Sequence, residues 1–373
     1  MTKVVIVGAA GAMAQVVLRD LLEFAGDVSI TAADARPIPS HDARIKPVQV
    51  DLNNEDSTTS IVSGHDVLVN CATYYLNVPV MRAALSARVP YTDLGGLYHG
   101  TNKQFALHKD FLKAGVTAVL GMGSTPGITN VMAGAMAARM DQVDEIHVRV
   151  AAFDESASGP LPIPYALDTI LDEFSLEPMV FTAGKATAVA PMSGAERIDF
   201  PQPVGTVEAL YTLHSEVAMF PRSFPGLKEA SFKVAFPPDF TEKVKFLVNL
   251  GFASREKIVE GVSPRQMLLT VAASQQSPGG EPKDCDVLRV EMKGTRSGKK
   301  ITATAESVIL PHPQWKIAAG SLDTGVPLSI VAQMLARGEI SEPGVLCPET
   351  SVPAEKFFAE LTKRYIHVKL SAP

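Results

Sequence analysis

Apolar positions along the first third of the chain alternate between two periods. Lys3–Val7 is a β-branched run, and Ala12–Phe24 carries apolar residues at helical spacing. Val28–Ala33, Ile45–Leu52, Asp66–Ala72, Tyr91–Leu94 and Thr117–Gly121 read as further strands. Helices are predicted over about Val78–Ala87 and Asn102–Ala114. Strands apolar on both faces and separated by helices predict a parallel sheet covered on both sides, which is a doubly wound α/β unit.

The pattern changes after Gly123-Ser124-Thr125-Pro126-Gly127. A helix is expected over Thr129–Met140, and then strands at Glu145–Phe153, Phe232–Ala235, Val287–Lys293 and Lys300–Ile309. The last two flank Gly294-Thr295-Arg296-Ser297-Gly298 and predict an antiparallel hairpin. Segments 155–164 and 272–283, rich in Gly, Pro and Ser, read as loops, and Val326–Arg337 is helical up to Gly338. At 373 residues the chain exceeds what one hydrophobic core usually serves. The expected layout is a dinucleotide-binding (Rossmann) domain from residues 1–124 and 318–373, with an α+β domain inserted at 125–317.

Composition narrows the partners. A net charge of -6 argues against nucleic acid or an anionic membrane as the main partner. No apolar run reaches the ~18 residues of a membrane span, and MTKVVIVG enters a strand at once, leaving no room for a signal peptide. Cys71, Cys285 and Cys347 are too scattered for a disulfide framework, and no histidine spacing suits a metal. A reduced, cytoplasmic, metal-free protein is expected.

Residues 4–14, VVIVGAAGAMA, place a glycine turn between a buried strand and a helix. Gly8 permits the tight turn, Gly11 lets main chain approach a pyrophosphate, and Ala14 lets the helix lie close to the strand. Gly8, Ala10, Gly11, Ala12 and Met13 therefore form the expected phosphate cradle at the helix N-terminus. Asp34 ends the second strand 26 residues after Gly8 (34 minus 8), where a carboxylate accepts ribose hydroxyls and repels a 2′-phosphate. That favours NAD, whereas Arg36, beside Ala35, suits the extra phosphate of NADP; a solvated turn is the alternative for Asp34. Asp51 and Leu52 are expected beside the adenine, and Cys71, Ala72 and Thr73 under the nicotinamide half.

The chemistry has to come from other residues. Tyr365…Lys369 alone has the Tyr-x-x-x-Lys spacing of short-chain dehydrogenases, and it falls on a strand-like stretch. Residues 70–77 (NCATYYLN) with Val80-Met81, residues 91–96 (YTDLGG) and residues 123–130 (GSTPGITN) resemble the saccharopine dehydrogenase-like family, especially its lysine 6-dehydrogenase branch. Residues 323–327 (DTGVP) and 344–349 (GVLCPE) are similar as well, so the resemblance runs nearly the whole length. It implies a Rossmann domain, an inserted substrate and dimerisation domain, a homodimer, and oxidation of an amine on a lysine-like amino acid. Ser124-Thr125 replaces the Cys or Asp that relatives often carry before Pro-Gly, and residues 212–216 (TLHSE) replace a Gly-rich stretch.

Such a reaction needs a base, a group to hold the amine and a cation for the α-carboxylate. Asp93, at the end of the fifth strand, suits either base or ammonium ligand, with a turn cap as the alternative. Tyr74 matches the tyrosine that the resemblance places beside the nicotinamide, and Asn77 shares its motif. Thr125 and Asn130 sit at a helix start, as ligand contacts or as caps. His214 is an acid/base candidate, with Glu216, in a segment expected to be an irregular loop because Pro221, Phe224 and Pro225 follow. Arg222 and Lys233 are the candidates for a carboxylate.

The resulting expectation is an NAD(P)-dependent oxidoreductase acting on C–N bonds of lysine or a lysine-derived amino acid through an imine. A saccharopine- or opine-type reductase is one alternative, needing two cations in the cleft. A non-catalytic NAD-responsive regulator, lacking a base near the nicotinamide, is another.

Overall fold

The computed structural model describes residues 1–38, 42–154, 159–258, 261–275 and 280–371. Among them, a seven-stranded sheet has the order Gly344–Leu346, Thr117–Val119, Tyr91–Asp93, Val67–Asn70, Thr2–Val7, Val28–Asp34, Ile45–Gln49, with every pair parallel. From the central strand Thr2–Val7 the chain builds outward to one side through Asp34 and Gln49. It then crosses back to build the other side from Val67. This reversal opens a crevice beyond the carboxyl ends of Thr2–Val7 and Val67–Asn70, where ligands bind in such sheets. Val4, Val5, Ile6, Val7, Leu68 and Val69 are buried, as strands covered on both faces require.

The strand at the edge of this sheet, Gly344–Leu346, comes from late in the chain and pairs with Thr117–Val119. A second tie joins the same regions. Arg364 donates from Nε to Asp20 on the Ala12–Phe24 helix at 2.6 Å, both side chains being fully buried, and its guanidinium lies 3.8 Å from the Phe24 ring centre.

The second sheet runs Glu196–Asp199, Thr206–Tyr211, Glu229–Ala235, Gln142–Asp154, Asp284–Arg296, Lys299–Ile309, Lys369–Leu370. Asp284–Arg296 and Lys299–Ile309 form the expected antiparallel hairpin. One face of this sheet, with Ile146, Val148, Phe232 and Leu288, shares a continuous core with the Ile128–Ala137 and Ala319–Ala336 helices and the first sheet. The other face carries Glu145, His147, Arg149, Lys233 and Arg289, linked in ion pairs.

Several segments differ from expectation. The predicted Asn102–Ala114 helix is two, Leu97–Phe105 and His108–Ala114, separated where Gln104 turns inward to Asp93. Glu216–Ser223 is a helix and not an irregular loop; Pro221 removes one hydrogen bond, and the helix stops two residues later. Residues 272–275 continue the Pro264–Gln275 helix, while 155–158 and 276–279 of the expected loops lie outside the described residues. The late helix starts at Ala319 and not at Val326. Small residues hide its first turns, because a Cβ on Gly325 would come within 2.6 Å of Val16 Cβ where the helix crosses Ala12–Phe24.

Candidate active site

The glycine turn is shaped by main chain. Gly8 has φ +73°, and a Cβ there would lie 2.5 Å from the Ala72 nitrogen, so no side chain fits between the two strand ends. Gly11 precedes the Ala12–Phe24 helix in extended conformation, so the helix N-terminus opens on the crevice. A cavity of about 250 Å³ lies there, lined by Gly8, Gly11, Asp34, Ala35, Arg36, Asp51, Leu52, Cys71, Ala72, Thr73 and Leu76. Ala12 and Met13 form the first helical turn beside it. Asp34 accepts from Ala10 N at 3.0 Å through one oxygen and from Arg36 N at 2.9 Å and Nε at 3.3 Å through the other. Burial opposes its charge, but these donors win and hold its pKa below the usual range. The shape, the acid and the donor-lined turn all fit an adenine dinucleotide.

Beyond Thr73, a 3₁₀ turn at Tyr74–Leu76 carries two phenols packed at a tilt of 32°, ring centres 4.1 Å apart. Tyr74 donates to Asp172 at 2.7 Å, and Tyr75 also donates to Asp172. Burial and Asp172 raise the Tyr74 pKa strongly, and Tyr75 is pushed up to about 12, so both remain donors near neutrality. Asp172 sits on the helix Leu167–Ser175, facing the first sheet across the cleft. Arg265 donates to it at 2.6 Å, and Arg255 at 3.2 Å.

His214 stacks on Phe232, ring centres 3.8 Å apart, with Nδ1 hydrogen-bonded to Glu216. Thr125 also donates to Glu216, and Thr129 lies 3.3 Å from Thr125. Burial acts to lower the His214 pKa, but the negative charge of Glu216, with Glu173 behind it, raises it overall. Glu173 adjoins Asp172, accepts from Tyr165 at 2.5 Å, and is pushed up to about 7 by burial. Beside Thr125, Ser124 donates to Asp323 at 2.8 Å. Burial, with the charge of Asp284, raises Asp286 to about 7, and burial, with the charge of Asp286, raises Asp323. Asp284 accepts from Gly320 N at 3.1 Å through one oxygen, and its other oxygen is buried without a partner among the described residues.

Five expected ligand contacts are placed elsewhere. Asp93 is fully buried and takes four donors, Tyr91 (2.8 Å), Gln104 (2.5 Å), Gly95 N (2.9 Å) and Gly121 N (2.8 Å), so it braces strand ends and faces no cleft. Asn77 belongs to the same network, bonded to Asn70 and Gly95 O at 2.9 Å. Asn130 accepts from Gly127 N at 3.1 Å and donates to Glu349 at 2.8 Å, so it caps the Ile128–Ala137 helix. Gly127 itself has φ +134°, and any Cβ would lie 2.0 Å from Gly123 O. Arg222 turns outward to Asn102 and the Phe105 ring. Lys233 follows Phe232 in its strand and so points to the opposite face from His214, where it pairs with Glu196 at 2.7 Å.

The structure adds residues that the sequence did not single out, namely Asp172, Glu173, Arg255, Arg265 and the Asp284, Asp286 and Asp323 group. They come from four separated segments and carry no shared spacing. On the outer face, Glu145, His147 and Glu229 bring ligand atoms within 4.8 Å of one another, but Lys293 already holds Glu145 at 2.6 Å. No helix among the described residues is long and apolar enough to cross a membrane.

Comparison with known proteins agrees with this geometry. Residues 4–119 match the family model described as saccharopine dehydrogenase NADP binding domain, and residues 123–366 match saccharopine dehydrogenase C-terminal domain. The chain is 25% identical to a carboxynorspermidine synthase of Vibrio cholerae, covering 83% of this chain and 79% of that one. It is 25% identical to a carboxyaminopropylagmatine dehydrogenase of Synechocystis, covering 97% and 95%. The solved apo saccharopine dehydrogenase (L-Glu forming) of Saccharomyces cerevisiae superposes with a TM-score of 0.74 at 16% identity over 100% of both chains, so the fold is shared.

Proposed function

This chain belongs to the saccharopine dehydrogenase family, as an NAD(P)-dependent oxidoreductase, and we propose that it makes or breaks the C–N bond joining a polyamine to a carboxylate-bearing carbon chain. The observation that carries this reading is the balance of charge around the His214–Glu216 pair. Glu173 lies beside it, the Asp284, Asp286 and Asp323 carboxyls gather at Ser124, next to the Thr125 that donates to Glu216, and the half-exposed cation at the mouth is Arg255. A substrate rich in cationic nitrogen groups with one carboxylate matches that set, and the names of the two relatives describe such molecules.

NAD(P), when bound, supplies or accepts the hydride at the carbon bearing the nitrogen. The chain's own residues handle the proton and the fit. His214 has Nδ1 committed to Glu216, which leaves Nε2 to take the proton from the substrate ammonium; Glu216 stabilises the imidazolium that results. In the opposite direction the same nitrogen returns the proton as the imine is reduced. The acid group beside Ser124 holds a distal ammonium, shifting its shared protons to bulk as the cation enters.

Lysine or a lysine-derived amino acid is the second reading, favoured by residues 70–77 and 123–130 and equally served by one carboxylate-binding cation. Saccharopine fits less well, because Arg265 is buried and already spent on Asp168 and Asp172. A purely regulatory role leaves the His214–Glu216 pair without a purpose. Following NAD(P)H absorbance with carboxynorspermidine, lysine and saccharopine tests the order: the carboxylated polyamine is expected to turn over fastest. Turnover of lysine alone overturns the polyamine reading, and turnover of none, with cofactor bound, favours the regulatory one.

A further inference from the structure

The Arg255 guanidinium makes all of its hydrogen bonds among the described residues through one nitrogen. Nη2 donates to Asp168 at 3.0 and 3.1 Å, to Asp172 at 3.2 Å and to the Tyr75 hydroxyl. Nε and Nη1 make none with those residues. The planar group lies over the Tyr75 ring, 4.7 Å from its centre, and half of the side chain is exposed. Tyr75 is two residues from Thr73 and next to Leu76, both of which line the dinucleotide cavity. The arginine therefore stands at the rim between that cavity and the His214 wall, with a free edge of its fork.

Its surroundings are built to let it take a further partner. The segment that carries it is fixed on the near side, where Arg265 donates to Ala253 O at 2.8 Å and Arg265 N donates to Ser254 O at 3.2 Å. Asp172 does not depend on Arg255, because Arg265 and two tyrosines also donate to it. If Arg255 turns away, no buried charge is left unpaired, which is the usual penalty for breaking such a cluster. Three other cations are placed elsewhere. Arg265 is 3% exposed, Arg222 is turned to Asn102, and Lys233 lies on the far face of the second sheet.

We propose that Arg255 is the specificity residue that takes the substrate's carboxylate on the free edge of its fork, so selecting carboxylated polyamines over their parent polyamines. This rests on the polyamine reading above. A carboxylate docked on the free edge of the fork makes the paired bonds that arginine favours, while the tyrosine stack holds the plane in place.

The test compares carboxynorspermidine with norspermidine, which lacks the carboxylate, by titration calorimetry on the full chain loaded with NAD(P). Wild type is expected to bind the carboxylated compound at least tenfold more tightly. Arg255→Ala should reduce that ratio to about twofold while leaving norspermidine affinity unchanged, and Arg255→Lys should keep part of it. A ratio unchanged in both variants, or absent in wild type, overturns the assignment. NAD(P)H turnover of carboxynorspermidine, measured in parallel, separates the two claims. Turnover with an Arg255-independent ratio removes Arg255 and keeps the function, whereas preferential binding lost in Arg255→Ala without turnover keeps Arg255 and removes the proposed reaction. Melting temperature checks that each variant is folded, and Arg255→Gln is the substitute should alanine not be.

Discussion

The carboxyl edge of the first sheet presents main chain to its ligand, whereas the wall formed by the second sheet presents buried ionisable side chains. At the first, Gly8 and Gly11 remove side chains so that peptide groups come close, and Asp34 is kept charged by three neighbouring donors. At the second, Glu173 and Asp286 sit near a pKa of 7, and His214 is lifted by its carboxylate neighbours. The difference teaches a division of labour. A cofactor of constant shape is met by a rigid cradle that does not respond to pH. A substrate whose amines and acids exchange protons is met by groups poised to exchange them in turn.

The contrast can be broken first at the glycine turn. Gly8→Val places a β-branched side chain at φ +73° and against Ala72, so both cofactor binding and folding should suffer. A destabilisation of about 2 kcal/mol or more is expected from the backbone term and the clash together, read by denaturant unfolding. Retention of full NAD(P) affinity would show that the turn is not the cradle. Next in size, His214→Ala should lower turnover by about a hundredfold or more while cofactor affinity stays the same. Glu216→Gln sharpens this point, since removing the main charge that raises the His214 pKa leaves burial opposed by Glu173 alone. The acid limb of the oxidation profile should then move to lower pH; an unmoved limb assigns it to another group.

Asp34→Ala should cut the preference for NAD over NADP by roughly tenfold, about 1.4 kcal/mol, measured as the ratio of the two dissociation constants. If NADP is preferred from the outset, Arg36 and not Asp34 governs the ribose end. The smallest effect concerns stability. Burial pushes Glu349 up to about 7 from 4.5, so the native state keeps a proton that the unfolded chain releases. Stability contributed by that proton is present at low pH and is lost as pH rises through the window from about 4.5 to about 7. Glu349→Gln should flatten part of the melting temperature's fall across that window, and an unaltered slope would rule Glu349 out.

The cofactor end was readable because its parts are local. Strand, glycine turn and helix follow one another within residues 4–14, and Asp34 closes the next strand at a fixed distance. His214 and Glu216 were also within reach, two residues apart, although the helix beginning at Glu216 was masked by Pro221. What could not be read is convergence. Tyr74 meets Asp172 across 98 positions and Arg255 meets Tyr75 across 180, and neither sequence neighbourhood has a period or spacing that announces the other. Asp93 misled for a related reason. It stands at the edge where ligands bind, but Gln104, from a helix that starts at Leu97 and not at Asn102, reaches it first. Lys233 shows the importance of parity, since one step along the strand from Phe232 puts a side chain on the wrong side of the sheet.

The late strand Gly344–Leu346 and the buried Asp20–Arg364 pair also bear on how the protein is made. A nascent chain that has emerged as far as residue 340 holds the whole glycine turn, yet its Thr117–Val119 strand still has an unpaired edge, and Asp20 is a carboxylate in an apolar setting without its arginine. The first sheet and the Ala12–Phe24 helix are therefore completed only when residues 344–364 fold back onto them. Until residues 344–364 are in place, that edge is open to pairing with another strand.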